Sequence, residues 1–296
     1  MTKRTLFIII GLLLLLDIAA IIIYLASKSN LDSTFDSNEA THTKADVMPD
    51  KASIDEFEAF QDTVNFLSTD KVEDGGEKKR MSATVMINLN WPKSINKSTQ
   101  FLELQNALMM KLTGKTYPSV KTMIKDLTSN PKFVKPSTHF TRVNKDFSSS
   151  RGVSHTTRRY TVKPHFGSHF RLDIMVVLET FNGGTDSRNF SIVHYDRQKG
   201  KVITNDQIFD NAYTSDVVAL INQSIEEKMI KNNINMHEVQ SIPPNFILGD
   251  KYVIFYVEQD SKQYEVKVSN ESLSEYFTEY YNTLIINDTK LIPYTH

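Results

Sequence analysis

The chain contains no cysteine, and this absence excludes several kinds of chemistry at once. Without thiols there can be no disulfide, no cysteine nucleophile and no cysteine-ligated metal or cluster. The lipid-modified cysteine of a bacterial lipoprotein is excluded for the same reason. The hydrophobic core alone must therefore hold the fold together, and 17 Phe and 12 Tyr supply apolar surface for it.

A strong charge of either sign is also missing. The chain carries 34 Lys and Arg against 35 Asp and Glu, a net charge of −1, whereas nucleic-acid-binding proteins show clustered basic residues and a high pI. The sequence also lacks a Gly-x-Ser-x-Gly nucleophile elbow, a phosphate-binding glycine loop and a Gly-x-Gly-x-x-Gly fingerprint. We therefore expect no nucleic-acid partner and no cofactor.

What the sequence does contain is one long apolar run, residues 5–26, in which Asp17 is the only charge. About 20 apolar residues suffice to cross a hydrocarbon core roughly 30 Å thick. Lys3 and Arg4 precede the run, so the positive-inside rule places residues 1–4 in the cytoplasm as a short stub. The sequence thus predicts a single-pass protein of the cell membrane that binds the bilayer through residues 5–26. The bulk of the chain is then extracytoplasmic, on the periplasmic or extracellular side.

Two questions about this run stay open. A cleaved signal peptide would have a shorter apolar core and small residues before the cleavage point, whereas bulky Tyr24 precedes Ala26 here, which favours a retained anchor. Asp17 costs roughly 2.5–3.5 kcal/mol inside a membrane. It therefore either contacts a partner helix or is outweighed by its apolar neighbours.

The rest of the chain divides by composition. Residues 27–52 are polar and poor in apolar side chains, which is typical of a flexible tether. We expect a helix–strand–helix module over 53–150, and an antiparallel sheet with helices over 151–296 that packs with this module as one ectodomain. Because strands and helices occur without strict alternation, the predicted fold is α+β, with a largely antiparallel sheet and packed helices behind one N-terminal transmembrane helix.

Periodicity predicts the individual elements. Ser53-Ile54-Asp55-Glu56 has the form of a capping box, so we expect a helix over 53–69. Alternating apolar residues predict a strand over 81–91 that ends at Pro92. Further helices are predicted at 99–112, 119–129, 215–231 and 272–281. Further strands are predicted at 158–163, 170–181, 189–196, 246–248, 252–258 and 264–268.

Candidate catalytic and metal-binding residues are few. His165 and His169 are four residues apart, a spacing that suits a zinc pair on a helix, but here they lie between two strands, beside Gly167. We interpret them as loop histidines, with a metal site as the alternative. Asp173 and Glu179 lie on one strand and could face the same side as a carboxylate pair. A solvated strand face explains these two acids better.

The stretch from 170 to 277 is similar to a known family. The similarity is carried, in order, by Phe181-Asn182-Gly183-Gly184, Val193-His194-Tyr195-Asp196, residues 203–209 and residues 246–256. These pieces resemble the extracytoplasmic domain of unknown function found at the C-termini of lysozyme-sensing anti-sigma factors and of a peptidoglycan deacetylase. Residues 81–112 also resemble the strand–helix module that precedes this domain in the family.

The resemblance implies a sensing or binding role at the cell envelope. We expect no counterpart of the deacetylase relative's catalytic domain, and we expect residues 1–4 to be too few for a sigma-binding segment. We therefore expect a non-catalytic binding module of the bacterial cell envelope for a protein, such as lysozyme, or for a glycan. The alternative is an envelope hydrolase that acts on peptidoglycan or polysaccharide through paired carboxylates.

One loop is the candidate ligand-binding site. It occupies the position that is characteristic of the family, and loops on rigid scaffolds carry binding residues more often than their share. A plain β-turn is the alternative interpretation. The loop consists of Asn182, Gly183, Gly184, Thr185 and Asp186.

Overall fold

The computed structural model describes residues 55–287, except for single positions at 75, 97, 136, 151, 169, 184, 233 and 261. The predicted stub 1–4, the membrane span 5–26 with Asp17 and the tether 27–52 lie outside the described residues. Within the described part of the chain, no helix combines the length and the apolar character that crossing a membrane requires.

Strands from both halves of the predicted ectodomain join one large sheet. Its strands are β1 (Glu56–Asp74), β2 (Glu77–Ser94), β3 (Phe140–Val143), β4 (Val153–Gly167), β5 (Arg171–Asn182), β6 (Thr185–Asp196) and β7 (Lys201–Val202). Their order across the sheet is β3-β1-β2-β4-β5-β6-β7. In the described residues β2 and β4 run parallel, and the other neighbouring pairs are antiparallel. The predicted α+β fold with a largely antiparallel sheet is confirmed.

The first strand corrects a prediction, because β1 occupies the region where a helix was expected over 53–69. The helical spacing of Phe57, Phe60 and Val64 is present, but Val64 and Phe66 are buried at a period of two. β1 pairs with β2 along nearly its whole length and turns into it at Gly76, whose φ is +82°. Long-range pairing with a buried strand outweighs the local preference for a helix, which alone would be marginal at this length.

Two helices cover one face of the large sheet, and both were predicted. They are α1 (Leu102–Thr113) and α2 (Val120–Leu127). Ser119 caps α2 by accepting a hydrogen bond from the Thr122 N–H at 3.2 Å. Beneath the helices lies the larger hydrophobic core, which includes the alternating residues predicted to share one face of β2. These residues are Ala83, Val85, Ile87 and Leu89.

A small sheet covers the other face, over β5 and β6. Its strands are β8 (Phe246–Leu248), β9 (Tyr252–Gln259) and β10 (Lys262–Ser269), in the order β10-β9-β8. Apolar side chains of β5 and β6 pack against Ile247 and Tyr256 of the small sheet. On the parts of β1, β2 and β4 that the small sheet does not cover lies a groove of about 480 Å³. Its lining residues are Gln61, Asp62, Thr63, Met86, Ile87, Asn88 and Arg159.

The remaining helices surround the small sheet. They are α3 (Asn205–Ile208), α4 (Thr214–Asn232), α5 (Asn270–Leu273) and α6 (Glu279–Asn287), with 3₁₀ turns at Asn211–Tyr213 and Ser274–Tyr276. The helix predicted over 272–281 is wrong as one unit. Phe277 is extended and forms a β-bridge with Phe209, so the chain breaks between α5 and α6.

Candidate binding groove

The predicted ligand-binding loop is the tip of the β5–β6 hairpin. Asn182 pairs with Thr185 at this tip, and Gly183 adopts a left-handed φ of +54°. Asn182, Gly183 and Asp186 are exposed. Gly184 and the Thr185 side chain lie outside the described residues. The structure thus places the loop at an exposed hairpin tip, and its role in binding stays a prediction.

A groove of about 260 Å³ lies directly below this loop. Thr180 and Ser187 pair with each other immediately next to the Phe181–Asp186 pair, and both line the groove. Its opposite side comes from the β9–β10 hairpin. The lining residues are Arg158, Leu178, Thr180, Ser187, Arg188, Asn189, Glu258 and Gln263.

Gln263 holds the two sides of the groove at a fixed spacing. Its Oε1 accepts from the Phe190 N–H at 2.8 Å, and its Nε2 donates to the Phe190 carbonyl at 3.1 Å. The same amide donates to Glu258 Oε1 at 3.2 Å. The ring of Phe190 also contacts that of Tyr256, with centroids 4.4 Å apart. The amide of Gln263 therefore acts as a strand partner for the outer edge of β6, which makes the groove a preformed feature.

The charged residues that line the groove are Arg158, Arg188 and Glu258. Arg158 donates through Nε to Thr180 Oγ1 at 3.1 Å, and its guanidinium lies 4.4 Å from the ring centroid of Phe133. Arg188 Nε lies 3.4 Å from Glu179 Oε1. A guanidinium carries five N–H donors, so each arginine keeps donors beyond these described contacts. The groove can offer fixed donors to carboxylate, hydroxyl or amide oxygens.

The acids on β5 correct a second prediction. A solvated strand face was expected for Asp173 and Glu179, but Asp173 is fully buried, and the Glu179 side chain is 17% exposed. Glu179 pairs with Arg159 at 3.1 Å as well as with Arg188. Asp173 lies 3.3 Å from Arg171 Nε. The two acids therefore differ in environment. Asp173 is enclosed by protein, whereas Glu179 is partly exposed and pairs with arginines that reach solvent.

Asp173 belongs to a buried polar cluster that joins the large sheet to the small one. Its Oδ1 is 2.8 Å from His194 Nδ1, and His194 Nε2 lies 3.1 Å from the Phe246 carbonyl oxygen. Arg171 Nη2 donates to the Leu248 carbonyl at 3.0 Å. Burial acts to raise the pKa of Asp173, but the Arg171 charge and the contact with His194 outweigh it and hold the pKa below its ordinary value. The large sheet thus supplies the charged side chains of the cluster, and the small sheet supplies the backbone carbonyl oxygens of Phe246 and Leu248 that accept from them.

This cluster does not present a catalytic pair to a substrate. A carbonyl oxygen only accepts hydrogen bonds, so His194 Nε2 donates to Phe246. Its Nδ1 faces Asp173, and the His194 side chain is 6% exposed. With both ring nitrogens occupied and the ring covered, His194 orients the two sheets and has no open position for a reacting group.

The predicted histidine pair is only partly described. His169 lies outside the described residues, and His165 is half-buried, where desolvation lowers its pKa. No cluster of three or more metal-ligating side chains occurs in the described part of the chain. His165 lies within β4, at a register shift in its pairing with β5, so the interpretation as a loop residue is wrong for His165. A metal site at this pair stays a prediction.

Sequence reasoning missed the groove and the buried cluster. The groove joins Arg158 to Gln263, residues that are distant in sequence, so no local pattern could have assembled it. The cluster did leave a signal, because Asp173 lies inside the apolar run of β5, and a charge in a buried strand needs a partner.

The fold is similar to that of a solved structure of a domain of unknown function. A DUF3298 family member from Bacteroides fragilis gives a TM-score of 0.53 at 13% sequence identity, over 81% of this chain and 98% of that one. A DUF3298 family protein from Pseudomonas aeruginosa gives 0.47 at 11% identity, over 77% of this chain and 97% of that one. No family model and no curated protein matches the chain. The Bacteroides likeness shows a shared fold with a domain of unknown function.

Proposed function

We propose that the chain is a membrane-anchored, extracytoplasmic binding module of the bacterial cell envelope, and that it binds its ligand without catalysis. The observation that carries the binding role is the groove below the β5–β6 tip. It lies beside an exposed loop, its walls are held by Gln263, and its arginines keep hydrogen-bond donors. Such a site recognises a ligand by fixed polar contacts at little ordering cost.

The dimensions and charge of the groove favour part of a large ligand. Its volume of about 260 Å³ is just below the range of roughly 300–1,000 Å³ for pockets that enclose small molecules. Arg158 and Arg188 suit carboxylates, and Thr180, Ser187 and Gln263 suit hydroxyl and amide groups. An envelope glycan whose sugars carry carboxylates and amides, as in peptidoglycan, provides this combination. A protein ligand such as lysozyme, which the family resemblance implies, is the second possibility.

Titration calorimetry with the detergent-solubilised full chain tests the groove. The probes are soluble muropeptides in one arm and lysozyme in the other. We expect saturable binding of muropeptides. Their affinity should fall at least about tenfold in Arg188→Glu, because a hydrogen-bond donor is replaced by a carboxylate that repels the carboxylates of the ligand. The control Lys201→Glu changes the same charge on exposed β7 and should leave affinity unchanged.

The outcomes separate the candidates. Binding of lysozyme alone, lost in the double variant Thr185→Ala and Asp186→Ala, would favour a protein ligand at the loop. Binding of neither probe, or equal losses in Arg188→Glu and Lys201→Glu, would count against the groove as the site.

The membrane anchor is a separate part of the proposal, and the apolar run 5–26 supports it. Alkaline carbonate extraction of cell membranes should leave the full chain in the pellet, and deletion of 5–26 should release it. External protease should digest residues 53–296 in intact spheroplasts if the bulk of the chain is extracytoplasmic. Resistance to protease that disappears on lysis would place that bulk inside the cell.

A further inference from the structure

The outer edge of β1 is open over about half of its length. β3 pairs with β1 only at Asn65–Ser68. Among the described residues, no strand lies beside 58–63 on that side, although the sheet continues inward through β2. An open edge presents unpaired backbone N–H and C=O groups that can pair with another extended segment.

The backbone groups that face this edge can be identified. The Thr69 N–H donates to the His139 carbonyl at 3.0 Å, so odd-numbered residues of β1 turn their backbone toward β3. The pairing of β1 with β3 and with β2 has no register shift between Phe57 and Leu67. By alternation, the backbone groups of Ala59, Gln61 and Thr63 point out of the open edge. All three residues are exposed.

The side chains along the edge indicate which segment fits. Glu58 and Asp62 are exposed on the same face, with half-buried Phe60 between them. The sequence has no basic residue from 56 to 64. A second copy paired along this edge would bring acidic residues together, which is unfavourable, whereas directly opposite charges stabilise cross-strand pairs.

We propose that the open edge of β1 binds an extended basic segment of a partner protein by adding it as a strand to the large sheet. The side chains of Glu58, Phe60 and Asp62 select the pattern basic–x–apolar–x–basic. This pattern reads the same in both directions, so it fits a parallel or an antiparallel segment. β1 is separated from β6 by β2, β4 and β5, so the surface is independent of the groove below the β5–β6 tip.

Fluorescence polarisation with the full chain tests this surface. The probe is a labelled peptide, Gly-Lys-Thr-Val-Thr-Lys-Gly, and the comparison peptide carries Glu in place of both lysines. We expect saturable binding of the basic peptide and no binding of the acidic one. Glu58→Lys and Asp62→Lys should each weaken binding by about 1.5- to 5-fold. Glu226 is an exposed residue of α4, away from the edge, and Glu226→Lys should leave binding unchanged.

A proline at position 61 separates strand addition from simple charge attraction. The Gln61 N–H faces out of the sheet, so Gln61→Pro removes an edge donor without breaking the β1–β2 ladder, a position where strands accept proline. We expect at least about tenfold weaker binding in Gln61→Pro, unchanged binding in Gln61→Ala, and the same urea midpoint in both.

Three results would overturn the proposal. They are absence of binding by the basic peptide, equal binding in Gln61→Pro and Gln61→Ala, and a dimer of the full chain that Gln61→Pro converts to a monomer in sedimentation velocity. The last result would make a second copy of this chain the occupant of the edge.

Discussion

Removal of the Asp173 carboxylate should destabilise the protein far more than removal of the Glu179 carboxylate on the same strand. Asp173→Ala removes the buried carboxylate 3.3 Å from Arg171 Nε, where the arginine side chain is 5% exposed, and takes away the hydrogen-bond partner of His194 Nδ1. Breaking a buried ion pair by removing one partner costs about 3–5 kcal/mol. The loss should therefore be a large share of the total stability, which is typically about 5–15 kcal/mol.

Glu179→Ala is the matched control. Its carboxylate pairs with Arg159 and Arg188, whose side chains are 40% and 58% exposed, so solvent screens both contacts. Exposed ion pairs contribute about 0–1 kcal/mol. The two substitutions remove carboxylates from one strand, and the carboxylates differ in burial and by one methylene of side-chain length.

Urea unfolding of the full chain measures the difference. The chain has one tryptophan, and Trp91 is 2% exposed on β2, so its emission reports loss of the large core. Far-ultraviolet circular dichroism gives a second probe of the same transition. In thermal melts, a loss of 3–5 kcal/mol corresponds to a fall in Tm of roughly 6–20 °C for a domain of this size. Equal losses of unfolding free energy in Asp173→Ala and Glu179→Ala would refute the interpretation that the buried Asp173 cluster stabilises the contact between the two sheets.

Other predictions concern pH, the core and one turn. Because the pKa of Asp173 is lower in the folded state, its stabilisation is complete above about pH 4 and is lost as pH falls through the folded pKa; urea midpoints should therefore fall more steeply on acidification in the wild type than in Asp173→Asn. On α1, Leu108 is fully buried, so Leu108→Ala should lower the free energy of unfolding by about 2–5 kcal/mol. Leu102 is 68% exposed on the same helix, so Leu102→Ala should change the urea midpoint little. Gly76→Ala should lower the free energy of unfolding by about 1 kcal/mol in the same assay, because alanine is strained at a φ of +82°. The cost should come from the backbone alone, since an added Cβ would meet no neighbouring atom. An unchanged urea midpoint would show that the β1–β2 turn can relax.

The parts of the fold that the sequence predicts are those with a local cause. α1 and α2 follow from apolar residues at helical spacing, and the β5–β6 hairpin follows from two apolar strands around a glycine pair. β1 could not be predicted this way, because its aromatic residues fit a helical period as well as a strand. Its pairing with β2 decided the outcome, and pairing is a property of the assembled sheet.

The candidate site shows the same division. The loop after Phe181 is visible in the sequence as a turn, and the structure places it at a hairpin tip. The groove below it depends on how the β9–β10 hairpin docks on β6 through Gln263, which no spacing in the sequence reveals. The burial of Asp173 was open to prediction, since an acid within an apolar strand must be neutralised by a partner.

The most direct test of the proposed function is the affinity of the full chain for soluble muropeptides, compared with that of Arg188→Glu and of Lys201→Glu. The account predicts saturable binding that falls at least about tenfold in Arg188→Glu and is unchanged in Lys201→Glu. Equal affinity in all three proteins, or no binding in the wild type, would contradict it.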